Sequence, residues 1–171
     1  MRTDGAQRAD AAALWAELRH SLDRRFDESG AGSARRRALA QRRLLRALEL
    51  RWKLEELVLL PALQDSATAS REDVRAAEKE IGLLRELSDL IGDPQLPSSA
   101  QGVVLAVLEG IATLRSDQLE RRLRQALQNE RINGAALAGD IEGMLERWCG
   151  ELLASGDIED EEADPVGQPP R

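Results

Sequence analysis

One helical row of side chains constrains the fold of this chain more than any other feature. Counted three or four residues at a time, the row reads Leu44, Leu48, Arg51, Glu55, Val58 and Ala62. On a helix these positions form one stripe, and apolar residues at this spacing face a protein core. Arg51 and Glu55 interrupt the stripe one turn apart. Because charged residues are rarely buried unless they are paired or functional, the row singles out these two side chains.

The composition favours an all-α protein with a single domain. The chain has 171 residues, which is long enough to bury a substantial core. Leu, Ala, Arg and Glu dominate, and β-branched residues are sparse, as is typical of helical proteins. The aromatic residues are Trp15, Phe26, Trp52 and Trp148.

Charge and cysteine content exclude several classes of protein. A formal net charge of -7 argues against a general nucleic-acid binder. The apolar run at residues 57–63 is too short to span a bilayer, and the first twenty residues lack the apolar segment of a signal peptide. A single cysteine, Cys149, leaves no internal disulfide and indicates a reducing, cytoplasmic environment.

Hydrophobic periodicity and capping residues predict five helices. The first spans about 9–27, and the second spans 34–64 with Ser33 as its N-cap and Pro61 ending or kinking it near its last turn. The third lies between a capping box opened by Ser70 and a stop at Gly92. The fourth runs from 98 to about 131, and the fifth covers 135–154. Short links predict an antiparallel up-down four-helix bundle over 9–131 with an additional C-terminal helix at 135–154. Residues 1–8 are predicted to be flexible, and 155–171 form an acidic tail predicted to be disordered.

The second helix resembles the hemerythrin-like (HHE cation-binding) family. In that family one helix reads His, three residues, Glu, usually a second acid, a short apolar run, then Pro-x-Leu. Here Arg51 is followed by Glu55-Glu56, an apolar run at 57–60 and Pro61-Ala62-Leu63. The metal-binding histidine is the one element of the motif that differs.

The same replacement recurs where the resemblance places other ligands. A family histidine about seven residues before a large apolar residue corresponds to Arg19, counted back from Phe26. A histidine with an acid five residues on corresponds to Arg115 and Glu120. In the third helix the histidine position falls on Ile81 or Lys79, and neither is a plausible iron ligand. The resemblance thus implies a four-helix fold around a centre that has lost its imidazoles.

This replacement decides the expected metal chemistry. A di-iron centre of this kind needs several neutral imidazoles together with carboxylates, and arginine cannot deprotonate to act as a ligand. His20 is the only histidine in the chain and lies beside the inner stripe of its helix. We therefore expect no metal, no cofactor and no catalytic residue. No nucleophile motif, phosphate-binding glycine loop or zinc spacing is present.

Two interpretations of the arginines remain open at this point. In one, the charged residues at the ligand positions form a polar core cluster that replaces the cation; its members are Arg19, Arg51, Glu55, Arg115 and Glu120. In the other, the arginines lie at the edge of the stripe and their tips reach water. The two weigh evenly for Arg51, and the edge position is favoured for Arg115.

The remaining features have plain explanations. His20 is expected on the surface, and Cys149 beside Trp148 is expected to pack against the bundle. The arginine-rich stretch at 35–46 suits a solvated helix face, or a site for phosphate or an acidic partner.

Three functions follow in order of preference. The first is a non-enzymatic interaction or regulatory module with an unknown protein partner, which includes a homodimer. The second is a binder of a small organic anion in the vacated centre. The alternative is a metal-binding protein with an unusual carboxylate-rich site formed by Glu55, Glu56 and Glu120. Neither nucleic acid nor a membrane is an expected partner.

Overall fold

The fold of the chain is helical. A computed structural model describes residues 10–30, 32–93 and 95–154, with side chains up to residue 150. Its elements are α1 (Ala11–Ser29), α2 (Ala34–Leu54), a π-helical segment (Glu55–Leu59), α3 (Leu60–Asp65), α4 (Arg71–Gly92), α5 (Ser98–Gln128) and α6 (Gly134–Ala154). The prediction of an all-α protein is confirmed. None of the helices described is both long and apolar enough to traverse a lipid bilayer. The stretches predicted to be flexible or disordered, 1–8 and 155–171, lie outside the described residues.

Side-chain caps fix the beginnings of four helices. Asp10 accepts a hydrogen bond from the Ala12 N–H at the start of α1, so this helix begins two residues later than predicted. The predicted caps Ser33 and Ser70 are confirmed, and Ser70 forms a complete capping box with Asp73. Asn133 caps α6 by accepting hydrogen bonds from two backbone N–H groups of its first turn.

The predicted end of the fourth helix was wrong by three residues. α5 ends at Gln128, not near 131, because Glu130 adopts a left-handed conformation with φ of 54°. The Glu130 N–H donates to the Leu127 carbonyl and the Arg131 N–H donates to the Ala126 carbonyl, which is the Schellman arrangement. A glycine usually occupies this position, so no stop signal is visible in the sequence before Asn133.

The long helical segment 34–65 contains a feature that the sequence did not indicate. Pro61 was expected to end or kink the helix, but helical structure continues to Asp65 and a π turn precedes the proline. The Leu60 N–H donates to the Glu55 carbonyl, five residues back. Pro61 has no N–H to donate and its ring crowds the preceding turn, so the wider π turn is a way to accommodate it. The turn begins at Glu55, one of the two charged residues of the inner stripe.

The helices pack around one hydrophobic core. α1 contacts α2, α5 and α6, and α4 contacts α2 and α5. The core includes Trp15 and Phe26 of α1, Leu48 of α2, Ile81 of α4 and Leu123 of α5. α6 lies against α1, α2 and the π segment and contributes its own buried residues at 137, 138 and 141. The outer sides of α4 and α5 therefore have no helix of their own to cover them within the described chain.

Candidate functional site

A buried carboxylate between two guanidinium groups forms the centre of the candidate site. Glu55 Oε1 accepts a hydrogen bond from Arg51 Nε at 3.3 Å, and Glu55 Oε2 accepts one from Arg115 Nε at 2.6 Å. The three side chains are nearly inaccessible to solvent, with exposed fractions of 3% for Arg51, 2% for Glu55 and 6% for Arg115. The edge position favoured for Arg115 was wrong. We call these three residues the buried network.

Three elements hold Arg51 in place. Its guanidinium carbon lies 3.2 Å from the ring centroid of Trp15 on α1, a cation–π contact. Its Nη2 donates to the hydroxyl of Ser116 on α5 at 3.3 Å. Glu55 lies one turn further along the same helical segment, at the first residue of the π turn. The π turn thus positions the carboxylate, and α1 and α5 fix the guanidinium that faces it.

The charges of the buried network balance only when its rim is included. Two guanidiniums surround one buried carboxylate, and the second negative charge comes from Glu80, whose Oε2 accepts from Arg115 Nη1 at 2.5 Å. Glu80 is 53% exposed, so this acid is hydrated. Burial lowers the pKa of Arg51 to about 10, and the charge and hydrogen bond of Glu55 oppose that effect. Removing Arg51 from water is therefore costly, and Glu55 compensates only in part.

Two guanidinium NH₂ groups of the buried network make no hydrogen bond. They are Arg51 Nη1 and Arg115 Nη2, both shielded from solvent and without a partner among the described atoms. Arg115 also borders a cleft of about 190 Å³ between α4 and α5, to which Glu80, Gln118 and Arg122 contribute. The network therefore retains hydrogen-bonding capacity that its own carboxylates do not use.

Arg19 and Glu120 lie in a second, more exposed network. Arg19 Nη1 contacts Asp117 Oδ1 at 2.5 Å and Glu120 Oε2 at 3.0 Å, and Glu120 also pairs with Arg124. The Arg19 side chain is 26% exposed. Partial burial tends to lower its pKa, but the hydrogen bond to Glu120 and the charge of Asp117 outweigh this and raise it. The five residues singled out in the sequence thus divide into a buried trio and a partly buried pair.

The carboxylates of the alternative metal site do not converge. Glu56 pairs with Arg85, which also binds Glu49, while Glu55 and Glu120 belong to the two networks above. Within the parts of the chain that the structure describes, no group of three or more His, Cys, Asp or Glu side chains is arranged to hold a metal ion. Each acid of the proposed set is matched to a different arginine.

Sequence reasoning missed several partners of these networks. Glu80 precedes the core residue Ile81 and reads as a surface acid, and Ser116 reads as a small helical residue. Nothing in the spacing shows that both reach the arginines, because they come from helices whose register against the second helix is not encoded locally. Trp15 provides the face on which Arg51 stacks, and this contact was not predicted either.

The other residues of interest lie on the surface or at its edge. Cys149 is exposed, so the expectation that it packs against the core was wrong. Its neighbour Trp148 is partly buried, and the Lys53 ammonium lies 4.1 Å from the centroid of its ring. His20 is exposed, and its Nδ1 donates to the Ala16 carbonyl at 2.9 Å.

A set of exposed hydrophobic side chains on two helices that contact each other forms a second feature of interest. The structure places six large ones on the outer sides of α4 and α5: Leu83, Leu90, Val103, Val107, Ile111 and Leu114. We call this set the apolar face. Leu57 is the one other large exposed hydrophobic residue in the described chain, and it lies in the π segment. Scattered apolar residues are normal on surfaces, whereas six of the seven on two packed helices is an uneven distribution.

The chain is an all-α protein with an arginine–carboxylate network in its core. Comparison with protein-family models, with curated proteins and with solved structures gives no match.

Proposed function

We propose that this chain is a non-enzymatic protein-interaction module whose binding surface is the apolar face. The observation that carries the proposal is the clustering of six of the seven large exposed hydrophobic residues on α4 and α5. Such exposure is unfavourable in water and is retained in soluble proteins mainly where a partner covers it. With its one cysteine unpaired, the module suits a reducing cytoplasm.

We propose further that the scaffold is an antiparallel up-down four-helix bundle of the hemerythrin-like kind. Contacts of α1 with α2, α2 with α4, α4 with α5 and α5 with α1 support a closed ring of four. The ion pairs Arg115–Glu80 and Arg122–Asp73 indicate that α4 and α5 run antiparallel, because a later residue of α5 pairs with an earlier residue of α4. The contact of Glu55 with both Arg51 and Arg115 supports the proposal that guanidiniums occupy the positions of the imidazole ligands.

The interior of such a bundle is poorly suited to chemistry. Its carboxylates are neutralised by arginines, which stay protonated and offer no lone pair to a metal. The Arg51 guanidinium is held between Trp15 and Ser116 inside the packed helices. With reactivity absent from the centre, the outer surface is where this protein would act.

Site-specific photocrosslinking in the source cells tests the proposal. A photoreactive benzoylphenylalanine is placed at Leu114, which is 63% exposed on the apolar face, and separately at Leu57, which is 62% exposed outside it. The two positions are matched in residue type and exposure. We expect irradiation to give one discrete protein adduct from position 114 and none from position 57. Absence of an adduct at 114, or equal adducts at both positions, would refute the interaction module.

A second candidate function rests on the unpartnered Arg115 Nη2. Since Arg115 and Arg122 border the same cleft, a small organic carboxylate could take over the place of the Glu80 carboxylate. Replacing Glu80 with Gln removes the competing charge and should strengthen the thermal stabilisation produced by acetate or succinate. Glu78→Gln, which removes an exposed acid of α4 that does not line the cleft, serves as the control. No stabilisation of either the parent or the Glu80→Gln chain would eliminate this candidate.

A further inference from the structure

We infer that the partner on the apolar face is a second copy of this chain, docked through α5 about a two-fold axis. The inference rests on the proposed interaction function and specifies its partner. It depends on three properties of α5: the near absence of charge, the arrangement of small and large residues in adjacent rows, and the charges at the two ends of the face.

The first half of α5 is nearly uncharged although much of it faces outward. Residues 98–114 contain one charged side chain, Glu109, in a chain in which 32% of residues are charged. Ten of these seventeen residues are classed as exposed in the structure. A solvated helix face normally carries charges, and their depletion is the compositional signature of an interface core.

Two adjacent rows on α5 are complementary to each other. Gly102, Ala106 and Gly110 form a row of small residues spaced by four, and all three are exposed. An added Cβ at either glycine would meet no atom within 4 Å, so packing within the chain does not require these glycines. Glycine inside a helix also lowers helix stability. The row therefore provides a shallow groove that nothing within the described chain fills.

The neighbouring row supplies the ridge that fits such a groove. Val103, Val107 and Ile111 follow the same spacing of four, one position along from the small residues. When two helices pack with such rows interdigitated, the ridge of each enters the groove of the other. A two-fold interface uses the same patch on both subunits and therefore requires a surface that is complementary to itself. α5 meets this requirement, and a second copy of the chain brings the matching rows at the matching spacing.

Charges at the ends of the apolar face also fit this arrangement. Arg121 lies on the same side of α5 as Val103, five full turns further along, and its described hydrogen bond goes to the Asp117 backbone carbonyl of its own helix. At the other end, Glu86 and Asp89 are exposed on the last turns of α4. When two α5 helices cross in opposite directions, the basic end of one approaches the acidic end of the other. The same charges would repel in a parallel arrangement.

Sedimentation velocity of the full chain tests this inference. We expect the parent protein to sediment, at high micromolar concentration, with twice the monomer mass of 18.8 kDa and to dissociate on dilution. Gly110→Leu fills the groove and should raise the dimer dissociation constant at least about tenfold, which is the effect of losing a well-packed contact. Leucine is the better helix former, so the monomer should melt no lower than the parent monomer.

Gly139→Leu on α6 is the matched control. Gly139 is also an exposed helical glycine with no atom within 4 Å of an added Cβ, and it lies away from the apolar face. We expect this variant to dimerise like the parent. A parent chain that stays monomeric at all concentrations overturns the inference, and so does a Gly110→Leu chain that dimerises like the parent.

The crosslinking experiment separates failure of this inference from failure of the proposed function. An adduct at Leu114 consisting of two copies of the chain supports both. An adduct with a different protein retains the interaction module and overturns the self-association. A monomeric chain without any adduct at Leu114 overturns both.

Discussion

Replacing Glu55 with glutamine is the most direct test of the buried network. Glutamine has nearly the same volume and keeps one oxygen that can accept from Arg51 or Arg115. Its amide NH₂ then faces the other guanidinium, so a donor opposes a donor. The substitution also leaves two positive charges in a site where the three original side chains are at most 6% exposed. Shape is retained while the electrostatic compensation is removed.

The expected loss of stability follows from that geometry. Removing one partner of a buried ion pair typically costs about 3–5 kcal/mol, because the remaining charge stays buried without compensation. Arg115 keeps its contact with the hydrated Glu80, whereas burial already lowers the pKa of Arg51 to about 10 while Glu55 is present. The main penalty therefore falls on Arg51. For a domain of this length, about 2–4 °C per kcal/mol converts the loss to a fall in Tm of roughly 6–20 °C.

The neighbouring residue provides the control. Glu56→Gln makes the same chemical change one position along the π segment, but Glu56 pairs with Arg85 on the partly exposed side. Exposed ion pairs contribute about 0–1 kcal/mol, so Glu56→Gln should change the free energy of unfolding by less than about 1 kcal/mol. Urea unfolding followed by circular dichroism measures both variants, and an unchanged m value shows that the same transition is compared.

One result would refute the reasoning outright: Glu55→Gln as stable as Glu56→Gln. That outcome would mean that the carboxylate between Arg51 and Arg115 is either solvated or unnecessary. A second variant tests whether the cost of burying these charges exceeds their mutual attraction. Replacing Arg51 and Arg115 with methionine and Glu55 with leucine removes all three charges together. Since apolar replacement of a buried ion cluster is often neutral or stabilising, this chain should unfold no more easily than the parent.

Three further predictions concern other parts of the molecule. The pKa of Asp73 is lowered to about 2, chiefly by the backbone hydrogen bond from Ser70. The Asp73 carboxylate therefore contributes to folding stability above its ordinary pKa near 3.8, and this contribution is lost as the pH falls from about 4 to about 2. In acid unfolding experiments, the stability difference between the parent and Asp73→Asn should disappear over that range. Chelation with EDTA should leave the Tm unchanged and elemental analysis should find less than one metal per chain, whereas a retained stoichiometric metal would contradict the arginine replacement. Arg85→Lys loses the forked contact with two carboxylates and should cost up to about 1 kcal/mol, a difference that shrinks at high salt if the contact is a screened surface pair.

The parts of the fold that were predictable are those that local chemistry determines. Ser33 and Ser70 cap their helices because a serine hydroxyl at this position accepts a hydrogen bond from a free backbone N–H of the first turn, two or three residues further on. The stop at Glu130 was not predictable, because the left-handed conformation there is stabilised by backbone hydrogen bonds and carried by a residue that does not favour it. The π turn before Pro61 belongs to the same category, since it depends on how the proline is accommodated by the whole helix.

The candidate site divides in the same way. The spacing of four between Arg51 and Glu55 is visible in the sequence, and two side chains at that spacing on one helix can contact each other. The burial of Arg115 depends on the height at which α5 packs against the π segment, and helical periodicity carries no information about that height. The partners Glu80 and Ser116 follow from the same packing register, so they could not be named before the structure.

We propose that the buried network and the apolar face are both consequences of one exchange of residue types, arginine for the histidines of a metal centre. A metal centre allows a helical core to be reactive because imidazoles can release a proton and bind the ion, and arginines at those positions hold their proton permanently. Glu55 is then committed to Arg51 and Arg115, and the core gains an ion pair whose desolvation cost must be met by the rest of the packing. If the core takes no part in chemistry, as we propose, the scaffold must be useful for another reason. The self-association inferred above would supply that reason. The exposed glycines and valines of α5 lower the stability of the isolated chain, and a second helix that covered them would offset this loss.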